Sequence, residues 1–187
     1  ASFGAWLRAD DPKPYGSWGN GAAMRVSPVG WYARSEEEVK RLSRAVTAVT
    51  HDHPEGLKGA ECTAMCVFLA RIGATKEEVL ARARAYYPEI GSYTCAQLSE
   101  SYSFDESCQG TVPEALTCFA EGEDLEDAIR NAVSIGGDSD TVAAIAGSVA
   151  EAYFGMTEMQ RAVILLCLPA DLRRIEANFQ AACRARR

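Results

Sequence analysis

The sequence is short of histidine, of positive charge and of strand-like alternation, and each shortage excludes something. Histidine occurs twice, as His51 and His53. At that spacing the two rings give no metal pair on a helix, so a zinc site is rejected there. Lys and Arg number 19 against 26 Asp and Glu, for a formal net charge of −7. That balance opposes electrostatic capture by nucleic acid or by an anionic membrane. Apolar runs never approach the roughly 20 residues that cross a bilayer. Alternating apolar and polar stretches are missing, as are internal repeats and low-complexity linkers. The chain also lacks a first methionine, opening Ala1-Ser2-Phe3-Gly4. A processed protein, a cloned fragment or a chain with an earlier beginning would each look this way.

Cysteine is present, but not as a framework. The seven are Cys62, Cys66, Cys95, Cys108, Cys118, Cys167 and Cys183. An odd number without a signal-peptide pattern does not read as a disulfide scaffold. Most are expected to be reduced, half-buried thiols acting as small hydrophobes, in a cytoplasmic protein. Cys62 and Cys66 share a helix face but lack the second pair that zinc needs. Apolar residues make up 48% of the 187 and charged residues 24%, the balance of a soluble globular protein with a sizeable core. One domain over residues 1–187 is expected.

Helix signals recur from about residue 35. Ser35 followed by Glu36, Glu37 and Glu38 has the form of a capping box. Behind it Val39, Leu42, Val46 and Val49 recur at helical spacing and predict one buried face. Pro54 and Glu55 open a helix with Leu57, Ala60, Ala64, Val67 and Phe68 as its stripe and Gly73 as its stop. Thr75 with Glu78 begins another, which ends before Pro88. Residues 89–110 read as a long loop, functional or mobile. Pro113 suits the first turn of a helix through Phe119. Asp124 caps the next, with Leu125, Ile129 and Val133 inside. An Ala- and Gly-rich helix follows Gly136-Gly137 to about Phe154. Thr157 with Gln160 caps one ending near Pro169. Asp171 caps the last, whose stripe is Leu172, Ile175, Phe179 and Cys183. The closing Arg184-Ala185-Arg186-Arg187 reads as a solvated helix end. The expected fold class is all-α, with six or more helices.

Three segments carry chemistry. In Gly136-Gly137-Asp138-Ser139-Asp140-Thr141, two glycines permit a tight turn that presents two carboxylates and a hydroxyl at a helix start. Such oxygens suit a hard cation such as Mg²⁺. The alternative is that Asp138 or Ser139 merely caps the helix while Asp140 serves its dipole. In Tyr15-Gly16-Ser17-Trp18-Gly19-Asn20-Gly21, interleaved glycines offer backbone N–H groups to an anion such as a diphosphate. Trp18 can stack on a ring and Asn20 can bond a ribose hydroxyl; a plain turn is the alternative. Thr50-His51-Asp52-His53-Pro54-Glu55-Gly56 holds both histidines, as base, ligand or donor. Its alternative reading ends one helix at His51 and caps the next with Asp52 or His53.

Taken in order, these segments resemble the ADP-ribosylglycohydrolase family, which includes the dinitrogenase-reductase-activating hydrolases. The stretches are Gly16 to Arg25, Thr50 to Ala60 and Gly136 to Thr141. The resemblance implies an all-α, multi-helix orthogonal bundle with a binuclear Mg²⁺ site at the base of an ADP-ribose cleft. It implies metal-assisted hydrolysis at the distal ribose anomeric carbon, acting on an ADP-ribosylated protein or an ADP-ribose-containing small molecule. Asp138, Asp140 and Thr141 would be metal ligands, with Asp138 and Asp140 as the catalytic carboxylates. Ser17, Trp18, Gly19 and Asn20 would cradle diphosphate and ribose, and His51 would contact the nucleotide side. Ser107-Cys108-Gln109-Gly110 resembles a segment on the adenine side.

The family's opening Thr-Asp-Asp-Thr metal motif has no counterpart here, and Asp10-Asp11-Pro12 falls where the family has a plain turn. On this resemblance the chain is expected to correspond to the C-terminal two-thirds of the family domain. It is expected to bury an apolar face by self-association or against a missing N-terminal segment. The readings that compete with a hydrolase are a non-catalytic ADP-ribose binder and a structural relative on the same fold.

Overall fold

The computed structural model describes residues 3–186. Ala1, Ser2 and Arg187 lie outside them, and with them parts of the expected chain start and basic tail. The fold is all-α, and no strand occurs among the described residues. Their one isolated bridge pairs Gly19 with Ser107. In chain order the helices are α1 (Phe3–Leu7), α2 (Gly21–Met24), α3 (Ser27–Tyr32), α4 (Glu36–Thr47), α5 (Pro54–Arg71) and α6 (Lys76–Arg84). Then come α7 (Cys95–Ser101), α8 (Val112–Glu121), α9 (Leu125–Ser134), α10 (Ser139–Phe154), α11 (Glu158–Cys167) and α12 (Ala170–Ala185).

Local chemistry explains most boundaries. Thr75 and Thr157 form complete capping boxes with Glu78 and Gln160, so two orphan N–H groups are satisfied at each helix start. Ser35 makes only half of its box. Its hydroxyl accepts from Glu38 N–H, but the Glu38 carboxylate accepts from Arg34 N–H, one residue before the cap. Asp124 caps α9 by accepting from Asp127 N–H at 2.8 Å. Asp171 does not cap α12. The helix starts two residues earlier, at Ala170 behind Pro169, which leaves Asp171 in the first turn. Short α1, α2 and α3 precede the expected onset at residue 35, and α7, capped by Thr94 and Gln97, interrupts the expected 89–110 loop.

Two helices form the centre. α5 packs against α2, α3, α4, α6 and α10, and α10 packs in turn against α8 and α9. Such crowding demands small residues. On Gly30 of α3, a Cβ would sit 2.6 Å from the Ala64 carbonyl oxygen of α5. Any larger side chain would push α3 off α5. All the buried apolar side chains that α5 and α10 carry belong to one cluster, which reaches Tyr87 and Phe119.

Several predicted stripes face the wrong way. Val39 is buried on α4, but Val46 and Val49 are each 48% exposed, and Ser43 and Thr47 take the inward positions. On α9 the buried residues are Leu125, Ala128 and Ala132, while Ile129 and Val133 lie out. Leu172 and Ile175 of α12 are exposed, and only Cys183 of that stripe is fully inside. The contact partner selects a helix's buried face; even Ile129, which lies beside Gly147 of α10, stays partly in solvent. Arg186 is no free, solvated tail either. Its guanidinium donates to Glu38 at 2.8 Å and lies 4.0 Å over the Tyr32 ring.

Candidate functional site

The site begins with one buried amide. Asn20, 7% exposed, ends the glycine loop where α2 starts. Its Nδ2 donates to Asp138 Oδ2 at 2.6 Å and to Thr111 Oγ1 at 3.0 Å, with the Asp105 carbonyl oxygen at 3.2 Å. Its backbone N–H donates to the Glu106 carbonyl at 2.6 Å. Three distant segments thus meet on one side chain. The Thr111 hydroxyl closes the network by donating to the Asp105 carbonyl at 3.1 Å.

Asp138 occupies the N-cap position of α10 but makes no side-chain capping bond. Its carboxylate is turned to Asn20 instead. Two successive glycines with positive φ, Gly136 at 76° and Gly137 at 62°, set that direction. Gly137 is needed twice over, because a Cβ there would lie 2.4 Å from Tyr102 Cε1. Asp140 is exposed in the first turn of α10, with no capping partner. Thr141 is buried, and its hydroxyl contacts only the Met24 sulfur, at 3.7 Å. Capping therefore does not account for these three residues.

The glycine loop is largely closed on itself. Gly16 N–H donates to Asp52 Oδ1 at 2.6 Å, Ser17 N–H to the Thr50 carbonyl, and Gly19 N–H to its neighbour's hydroxyl, Ser17 Oγ, at 3.2 Å. The expected row of N–H groups aimed at an anion is not what the loop presents here. It presents Trp18, 52% exposed and tilted over the His53 ring at 5.4 Å. With Tyr15 to Gly19 on one wall and Phe104 to Ser107 on the other, it bounds an open cleft of about 760 Å³.

His51 lies behind the loop rather than in the cleft. A Cβ on Gly19 or Gly21 would fall 3.5 Å from its Nε2. Arg25 lies 3.2 Å from His51 Nδ1, and the Thr50 hydroxyl lies 2.7 Å from it. Because arginine only donates, Nδ1 must accept and the ring proton belongs on Nε2. Burial first, and then the Arg25 charge, hold the imidazole below its ordinary value of 6.5. His53, by contrast, caps α5 by accepting from Glu55 N–H at 3.2 Å.

The family model described as ADP-ribosylglycohydrolase matches residues 1–185. The chain belongs to the ADP-ribosylglycohydrolase family. Among curated relatives, ADP-ribosylhydrolase ARH3 of Homo sapiens is 27% identical over 189 residues, covering 77% of this chain and 52% of that protein. ADP-ribosylarginine hydrolase Tri1 of Pseudomonas putida is 30% identical over 152 residues, covering 75% and 40%. A solved structure titled ADP-ribosylglycohydrolase-related protein complex aligns with a TM-score of 0.64 and 28% identity, over 96% of this chain and 64% of that one. The chain spans about half the length of the curated relatives it matches.

In this member of the family, the fold brings Asn20 and Asp138 into contact and sets Trp18 beside the cleft. It places Thr141 and His51 under the surface and leaves Asp140 in solvent. Asp11 pairs with Lys13 at 2.9 Å, both largely exposed, in keeping with a turn. The sequence alone does not single out Phe104 and Asp105, which lie in the 89–110 loop read as functional or mobile, or Thr111 just beyond it. Only the Ser107–Gly110 run pointed to that wall. The Cys108 thiol within it, pushed up to about 12 by burial, is an inert packing group.

The depressed His51 value sets a pH signature. Below pH 6.5 the unfolded chain takes up a proton on His51 that the folded chain resists, so this contribution to stability is present above 6.5 and is lost as pH falls. Melting temperatures of the wild-type chain and His51→Gln at pH 7.5 and 5.5 should show a smaller acid-side drop in the variant. Equal drops would remove His51 from this role.

Proposed function

We propose that this chain carries the ADP-ribose cleft and the Asp138–Thr141 metal segment of a Mg²⁺-dependent ADP-ribosyl glycohydrolase. The reaction is hydrolysis at the distal ribose anomeric carbon, with release of ADP-ribose from a protein or a small molecule. One observation carries the reading: the Asn20 amide ties the cleft loop directly to Asp138. A ligand held by that loop would therefore lie next to the acidic helix start. Trp18 is placed to stack on a planar group, Ser17 and Gly19 form the turn that carries it, and His51 holds that turn from behind.

The donor set fits a hard cation. Asp138 keeps Oδ1 beyond its bond to Asn20, Asp140 is open to solvent, and among the described residues the Thr141 hydroxyl has no oxygen or nitrogen partner. Two carboxylates and a hydroxyl suit Mg²⁺, which retains several waters and takes phosphate oxygens from substrate. Such an ion supplies Lewis-acid orientation of ribose hydroxyls and offsets charge as the C1 bond breaks. Asp138, fixed by Asn20, orients the site, while Asp140 is open to the attacking water. Among the described residues no group of three or more His, Cys, Asp or Glu is placed to hold a metal. The set thus suits one hydrated ion, and a binuclear site calls for further carboxylates. That shortfall favours, as a second reading, a binder that holds ADP-ribose without turnover.

No helix among the described residues is long and apolar enough to cross a membrane. We place the chain in the cytoplasm on the reading that an odd count of seven cysteines is not a disulfide framework. The single-domain reading of residues 1–187 rests on one contiguous core cluster. Self-association is supported by the side chains left exposed on α11 and α12, among them Leu166 at 79% and Ile175 at 60%. Light scattering after size exclusion should then show a dimer or larger; a clean monomer would remove this partner.

Calorimetric titration of ADP-ribose, with and without excess Mg²⁺, tests the function. Binding should tighten with Mg²⁺ and weaken at least tenfold in Asp138→Ala/Asp140→Ala, a loss of about 1.4 kcal/mol or more. Mg²⁺-tightened binding with no release of ADP-ribose from a modified protein would select the binder. No binding by a folded sample would overturn both.

A further inference from the structure

α10 joins two separate features. Its start carries Asp138 and Asp140, while Glu151, roughly 16 Å further along the axis at about 1.5 Å per residue, faces a second cavity. That cavity, of about 390 Å³, lies where α3, α10 and α12 converge. Its size falls in the range of small-molecule sites, roughly 300–1,000 Å³. Pro28, Trp31 and Phe179 supply apolar walls, and Glu151, Glu176 and Arg184 supply charge.

The charges are not equivalent. Glu176 is neutralised by Arg161 at 2.5 Å. Glu151 and Arg184 make no salt bridge with each other, and neither side chain has a hydrogen-bond partner among the described residues. Burial pushes the Glu151 carboxyl above its ordinary value, while the nearby Arg161 pulls it down. Glu151 also sits in the last turn of α10, where the negative end of the helix dipole favours a cation. One cavity therefore presents a partly buried carboxylate, attracted by Arg161 but not hydrogen-bonded to it, two aromatic rings and, at its exposed edge, the Arg184 guanidinium. A zwitterion would engage both the carboxylate and the guanidinium, whereas a ligand with a single charge would engage only one. An inorganic ion would leave the rings unused.

We propose that this cavity is a binding site for a free zwitterionic amino acid with an aromatic or large apolar side chain, its ammonium on Glu151, its side chain between Trp31 and Phe179, and its carboxylate on Arg184. The site is separate from the cleft of Trp18 and Asp138 and does not rest on the function proposed for it. Gln180 and Ser27 add hydrogen-bonding capacity at the wall. The stiff, buried body of α10 connects the two sites.

Calorimetry on the full chain with three probes tests this: L-phenylalanine, L-phenylalaninamide, which lacks the carboxylate, and N-acetyl-L-phenylalanine, which lacks the ammonium. Phenylalanine should bind at least tenfold more tightly than either analogue. Glu151→Gln should weaken phenylalanine and the amide but leave the N-acetyl compound unchanged. Arg184→Gln should weaken phenylalanine and the N-acetyl compound but leave the amide unchanged. Far-ultraviolet circular dichroism confirms that each variant is folded, and Glu151→Gln keeps side-chain volume. Absence of phenylalanine binding at millimolar concentration would overturn the proposal. So would equal binding of the three probes, or phenylalanine affinity unmoved by both substitutions.

Discussion

The site depends on a single side-chain amide. Asn20 is nearly inaccessible, and an amide in that setting costs free energy unless its donors are matched. Its matches come from Asp138, Thr111 and the Asp105 backbone, contributed by α10, α8 and the loop before α8. Removing one partner would orphan a buried donor or acceptor, at about 1–3 kcal/mol. The exposed Arg130–Glu126 pair, at 73% and 58% side-chain exposure, belongs to a class worth about 0.2–1 kcal/mol. The small buried network thus outweighs the more visible surface charges in holding the loop against the helix.

That network works because the scaffold behind it is stiff. α5 and α10 cross the centre of the molecule, and their small residues let neighbours approach until backbone meets side chain, as Gly30 does at Ala64. The Gly136–Gly137 turn then delivers Asp138 to Asn20 while accepting the Tyr102 ring against its own backbone. Geometry at one end of α10 is therefore inherited from packing along its length. At its other end the same helix carries Glu151, far enough away to serve different chemistry.

What was legible in the sequence was local. The boxes at Thr75 and Thr157 and the cap at Asp124 are read from neighbours a few residues apart, and the structure repeats them. Gly73 and Gly155, with φ of 91° and 79°, end their helices as stop signals should. Helix orientation was less legible. A stripe shows which face is apolar, not which face has a neighbour, so Val46 and Val49 lie out while Thr47 lies in. Helices of four to seven residues, α1, α2, α3 and α7, are too short for periodicity to register.

The candidate site divides in the same way. Its residue types and order carried the family resemblance, and Asp138, Asp140, Thr141 and the loop were named from it. The link that makes them one site spans 118 residues and no local pattern encodes it. Nor did spacing reveal that the loop's N–H groups bond within the protein or that His51 supports the loop from behind. Such facts follow from which elements become neighbours.

The most direct measurement is a double-mutant cycle in urea denaturation, with Asn20→Ala, Asp138→Ala and the pair. If the amide–carboxylate bond joins loop to helix as described, the coupling should be about 0.5–3 kcal/mol. Strictly additive losses would contradict it, because two residues that do not interact have nothing to share.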